Sequence, residues 1–143
     1  RKKLTQPSLR YSQAEDADLK NSNILIIDNI GMLSALYQYG RIAYIGGAFG
    51  AGLHNTLEPI AFGLPVLFGT GYHKFEEARY LVASGGGKAV ADAPQLKEAF
   101  YGWLEEHNYQ KASQQAAAYI QENRGASDAI VRSLPEFIPG RPN

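Results

Sequence analysis

Cysteine is absent from this sequence, so it builds neither a disulfide framework nor a thiolate metal site, and nothing in it requires an oxidising compartment. An excess of charge is absent too. Lys plus Arg and Asp plus Glu number 14 each, which removes any overall electrostatic pull toward nucleic acid or an anionic membrane and leaves room only for a local basic patch. Long apolar runs are missing: Gly, Pro or a charge interrupts each one well before the roughly 20 residues a membrane-spanning helix needs. The opening RKKLTQPSLR is basic with no apolar stretch behind it, which argues against a secretory signal and reads as the interior of something longer. No His, Asp and Glu cluster has metal-ligand spacing, and there is no internal repeat or low-complexity tract.

What is present is an alternation of short apolar strands and amphipathic helices. The 143 residues, 45% hydrophobic, suffice for one packed domain over 1–143, with a loose tail at 135–143. LRYS (9–12) reads as a strand, and NILIID (23–28) as a strand buried on both faces of a parallel sheet. A helix over GMLSALYQYG stops at Gly40, and RIAYIGG (41–47) is the next strand. TLEPIAFG (56–63) reads as a short helix closed by Gly63, LPVLFG (64–69) as a strand and 73–84 as a helix broken by the GGG after it. GKAV is a short edge strand. Asp92 caps a helix over 92–107, with Pro94 early in it and Leu96, Phe100, Trp103 and Leu104 on one apolar stripe. Helical segments over 108–125 and 127–134 complete the chain. This order predicts an α/β fold, a Rossmann-like parallel sheet flanked by helices.

In such sheets ligands bind beyond the carboxyl ends of the strands. Three segments fall there: Asp28 to Met32, Gly46 to Glu58 and Gly69 to Phe75. The second reads GGAFGAGLHNTLEP. Its glycines strip the backbone of side chains where a phosphate or sugar can approach, or they only supply positive φ to a surface loop; both readings stand. The run Gly47-x-x-Gly50-x-Gly52 is neither G-x-G-x-x-G nor a Walker A loop, so it calls for no nicotinamide cofactor and no ATP hydrolysis. Asn55 and Glu58 have the spacing of a capping box. Pro59 would then sit fourth in the helix, where its missing N–H matters, so a later start suits it better and releases Glu58 to accept hydrogen bonds from a ribose diol. His54 is either structural or a donor to a phosphate or carboxylate.

The segment YIGGAFGAGLHNTLEPIAFGLPVLFGTGYHKFEEA, with IIDNIGMLSALY before it, resembles the donor-binding half of the 3-deoxy-D-manno-octulosonic acid (Kdo) transferases. These are enzymes of lipopolysaccharide assembly with a two-domain GT-B fold. IIDNIGMLSALY is similar to the family's Asp-Thr-x-Gly-Glu-Leu segment, GLPVLFG matches its Pro-Val strand, and Lys74-Phe75 stands at its Asn-Phe pair. The resemblance runs from about Leu9 to Val90. Other GT-B enzymes share the Gly-rich loop and the glutamate, but not the whole Gly-Gly, His-Asn and Glu-Pro string.

The resemblance implies a donor site for CMP-Kdo. Ile30 and Gly31 would lie against the cytidine, Gly47 would border the phosphate, His54 and Asn55 would hold phosphate or sugar carboxylate, and Glu58 would take the ribose hydroxyls. Asn29, Met32 and Lys74 depart from the pattern, where Thr, an acid and Asn are usual. The chain is also much shorter than the family's enzymes, so the resemblance implies a carboxyl-terminal piece, inactive alone. The acceptor, a lipid A precursor, the general base and contact with the cytoplasmic face of the bacterial inner membrane would all belong to a missing amino-terminal domain, leaving this piece soluble. A bare sheet edge favours self-association. No cofactor, metal or nucleic acid is expected. Two alternatives stay open: a GT-B enzyme using a UDP-sugar, and a non-enzymatic nucleotide-binding or interaction module. Tyr72 and His73 read as a surface turn or as a cover over the donor, Trp103 as core, and Arg10 and Arg79 as solvent-facing charges.

Overall fold

A computed structural model describes residues 6–15, 19–50, 52–125 and 130. The segment 127–134, apart from Ile130, and the tail 135–143 lie outside them. The chain divides into two compact units that meet between Gly40 and Arg41, and each is described by itself.

The first unit is a two-stranded parallel sheet. Strand β1 (Ser8–Arg10) pairs with β2 (Ile24–Ile26), Leu9 opposite Leu25. A single 3-10 turn, Tyr11–Gln13, takes the place of the last expected strand residues. Helix α1 (Leu33–Leu36) runs into another 3-10 turn, Tyr37–Tyr39, and the chain turns extended at Gly40, where the sequence puts its stop. The expectation that NILIID is buried on both faces is corrected here. Leu25 and Ile26 remain 43% and 36% exposed, and none of the described residues up to Gly40 is buried. Two strands cannot cover both of their own faces. Beyond the strand ends, Asp28 accepts from the Ser12 hydroxyl at 2.7 Å and the Ser12 amide at 3.0 Å, with Arg10 3.8 Å away. These Ser12 bonds, and then the Arg10 charge, hold its carboxyl below the usual aspartate value.

The second unit is a three-stranded parallel sheet in the order β3 (Ala43–Ile45), β4 (Val66–Gly69), β5 (Gly87–Val90). Helix α2 (Leu57–Ala61) connects β3 to β4, and α3 (Glu76–Ser84) connects β4 to β5. After β5 come α4 (Ala93–Gly102) and α5 (Glu106–Glu122). The expected parallel α/β architecture with flanking helices is found, in two sheets.

Strand β4 is central because VLF is apolar on both faces. Val66, Leu67 and Phe68 are at most 1% exposed, each burial stabilising by about 1.5–3 kcal/mol. Helices α2 and α3 pack against α5, while α4 packs on β4 and β5. Leu67, Val90, Ala99, Trp103 and Ala112 form one buried cluster. Arg41 anchors the approach to β3 by an ion pair with Glu106 and by its guanidinium 4.0 Å over the Tyr109 ring.

Local signals explain most boundaries. Asp92 accepts from the Gln95 amide at 2.9 Å and starts α4, with Pro94 in the first turn. Gly85, left-handed at φ +88°, ends α3. Two expectations change. The helix read from 73 begins only at Glu76, because 71–74 form turns. The helix read over 92–107 breaks after Gly102, and Trp103 turns inward to 3% exposure while Phe100 and Leu104 stay 41% and 46% exposed.

Candidate functional site

The candidate site is built where the chain leaves β3 and β4 at their carboxyl ends. After Ile45 the chain loops out and returns, and the His54 amide closes the loop on the Gly46 carbonyl at 3.2 Å. Inside it the Gly50 amide donates to the Gly47 carbonyl at 2.9 Å. Gly47 takes φ +92°, and a Cβ there would strike the Gly52 carbonyl oxygen and lie 2.9 Å from His54 Cδ2. Its missing side chain is therefore a condition of the loop's own closure. Gly50 differs: its φ is not positive, and an added Cβ would meet only the Gly47 carbonyl, at 3.9 Å. The bare side of Gly50 is open.

The HNTLEP segment follows. Helix α2 starts at Leu57, after Thr56, later than a cap at Asn55 would have it. Asn55 Oδ1 accepts the Leu57 amide at 2.9 Å, and Asn55 Nδ2 donates to Glu58 Oε1, also at 2.9 Å. Asn55 thus both shapes the entry to α2 and orients the half-buried Glu58 carboxylate. His54 and Asn55 are exposed. Between them and the helix, Thr56 is completely buried, and its hydroxyl has no hydrogen-bond partner among the described residues.

The loop after β4 is tied to the first. Gly71 donates its amide to the Ala48 carbonyl at 2.8 Å, and Phe49 lies against Gly69 so closely that a Cβ there would come within 2.9 Å of the ring. A cavity of about 340 Å³ opens between the loops, walled by Gly50, Gly52, Gly71, Phe75, His73 and Lys74. The segment 69–75 was placed at this sheet end by the sequence, but His73 and Lys74 were not counted in the site. The signal for them was available: a His-Lys pair in the turn after a strand that ends beside the glycine loop.

Gly47, His54, Asn55 and Glu58 thus share one loop and its helix start. Ile30 and Gly31 belong to the first unit, where Ile30 is fully exposed and Gly31 has φ +96° with open space around it. The two neighbouring departures from the family pattern meet each other, Asn29 Nδ2 lying 2.7 Å from Met32 Sδ. No group of three or more metal-ligating side chains occurs among the described residues, and none of their helices is long and apolar enough to cross a membrane.

No protein-family model matches the chain. Curated relatives do. The 3-deoxy-D-manno-octulosonic acid transferase of Chlamydophila psittaci is 28% identical over 141 residues, 95% of this chain and 32% of that protein. The enzyme of the same name from Haemophilus influenzae is 30% identical over 143 residues, covering 94% of this chain and 33% of its own length. The chain therefore spans about a third of the length of these relatives. Among solved structures, the C-terminal CMP-Kdo binding domain of WaaA from Acinetobacter baumannii shares the fold, with a TM-score of 0.70 and 23% identity over 81% of this chain and 62% of that one.

Proposed function

From a chain related along nearly its whole length to the Kdo transferases, we propose the donor-binding part of a glycosyltransferase that moves Kdo from CMP-Kdo to a lipid A precursor. The observation that carries this reading is the Asn55–Glu58 pair, a carboxylate oriented at 2.9 Å on the loop that also bares Gly50.

Each part of the loop has a chemical task. The Glu58 carboxylate accepts hydrogen bonds from the two ribose hydroxyls, a role that needs two acceptor oxygens held in one plane. The loop that Gly47 folds borders the phosphate, and His54 and Asn55 offer donors to the phosphate or to the sugar carboxylate. By the resemblance, Ile30 and Gly31 of the first unit would meet the cytidine. In the reaction the bond between the sugar's anomeric carbon and the phosphate oxygen breaks, and CMP leaves with the electron pair. An acceptor hydroxyl oxygen bonds to that carbon and gives up its proton. Donors on this chain stabilise the charge growing on the departing phosphate. The base that takes the proton, the lipid acceptor site and the contact with the cytoplasmic face of the inner membrane are assigned to the remaining two-thirds of the transferase.

The test is calorimetric titration of the chain with CMP, UMP and cytidine. CMP is expected to bind more tightly than UMP, and Glu58→Ala to weaken CMP by about tenfold, the worth of charge-assisted hydrogen bonds. Equal affinity in the wild type and Glu58→Ala would sink the ribose assignment, and a preference for UMP would turn the reading toward a UDP-sugar enzyme.

A further inference from the structure

The cavity between the two loops carries a positive charge from one side chain, Lys74. The amides of Gly50 and Gly71 are already engaged by the carbonyls of Gly47 and Ala48, so the glycines supply room and the charge must come from elsewhere. His73 and Lys74 line the cavity, and among the described residues no carboxylate does. The carboxylates that follow in α3, Glu76 and Glu77, act on Tyr119 of α5. After burial, their charge is what raises that phenol above its usual value. The His73 ring is held in place from below. It stacks on Tyr72 at 4.3 Å between centroids, and Tyr72 in turn packs at 5.5 Å on Phe68, which is fully buried in β4. An imidazole packed on Tyr72 beside an ammonium, in a wall of glycines and the Phe75 ring, forms a receptor for a compact oxyanion.

We infer that Lys74, with His73 beside it, makes this glycine-walled cavity a subsite for an oxyanion of the donor, its phosphate or its sugar carboxylate, next to the loop that carries Asn55 and Glu58. This assignment rests on the donor reading above, and it gives that reading a second contact point. Lys74 then adds to donor affinity: it puts a full positive charge where the family pattern has a neutral amide. Gly50 shares both features of the site, since its bare side is open and it forms part of the cavity wall.

The experiment titrates the 143-residue chain with inorganic phosphate, CMP, cytidine and free Kdo, following the amide signals of Gly50, Gly52 and Gly71 by NMR. Lys74→Met is expected to weaken the anionic probe that occupies the cavity by about tenfold, to leave cytidine unchanged, and to be rescued by Lys74→Arg. A loss confined to CMP and phosphate assigns the cavity to the phosphate, and a loss confined to Kdo assigns it to the carboxylate. Lys74→Met binding every probe like the wild type overturns the inference, as does the absence of any glycine shift with all the anions. If CMP and cytidine fail to bind while phosphate still binds through Lys74, the donor reading falls and the oxyanion subsite stands.

Discussion

Gly71 and Ala48 hold the site together: the amide of one donates to the carbonyl of the other at 2.8 Å, and this bond joins the loop after β3 to the loop after β4. The approach leaves no space for a side chain, since a Cβ on Gly71 would collide with the Ala48 carbonyl oxygen. Backbone cannot yield as a flexible side chain does. Gly71→Ala should therefore destabilise the second unit by roughly 1–3 kcal/mol, the usual range for overpacking, and shift the amide signals of both loops. A urea midpoint equal to that of the wild type would refute the tie.

Thr56 offers the opposite experiment. Its hydroxyl is buried without a partner among the described residues, and such a group carries a desolvation cost that nothing repays. Thr56→Val keeps the shape and removes the oxygen, so stability should rise by about 1 kcal/mol with CMP affinity unchanged. Thermal unfolding reads the first effect and calorimetry the second. A fall in stability would mean that the hydroxyl is satisfied in solution.

Glu106 sets an acid-sensitive contact away from the two loops. Gln110, donating at 2.6 Å, and then Arg41 hold its carboxyl below the usual glutamate value. A depressed folded value gives stability that is present above the unfolded pKa and is lost as the pH falls through the folded one. Glu106→Gln should flatten that part of the acid limb in urea midpoints measured from neutral pH downward. An unchanged profile would show that the contact adds nothing to stability, as many exposed ion pairs do.

The legible parts of the fold are those decided by neighbours in sequence. Asp92, Pro94 and Gly85 act within one helical turn, and each does in the structure what its position announces. NILIID and LPVLFG, by contrast, look alike as strings. Phe68 is fully buried, while Ile26 is 36% exposed; what covers a strand's second face is set by distant segments, and no local pattern encodes it. The place of the break between α4 and α5, after Gly102 and not after residue 107, was hidden for a similar reason. The apolar stripe continues across Gly102, and only tertiary packing decides that Trp103 turns inward while Phe100 stays outside. In the site, Asn55 and Glu58 stood out by spacing: Asn55 accepts the Leu57 amide as a cap does, and its side-chain bond to Glu58 is an addition the spacing did not announce. His73, read as a surface turn or a cover over the donor, and Lys74, read as a departure from the family's Asn, stayed outside the site because their segment carries the composition of an ordinary turn.

Two glycines in one loop carry different information. A substitution at Gly47 acts on the loop's own closure, since its Cβ space is already filled by Gly52 and His54; one at Gly50 leaves that closure alone and adds bulk to the cavity wall. Lost binding at position 47 therefore reports a misfolded loop, whereas lost binding at position 50 with stability intact reports a collision with the ligand. Paired substitutions at these positions turn the loop into its own internal control, separating the fold of a binding site from its occupancy.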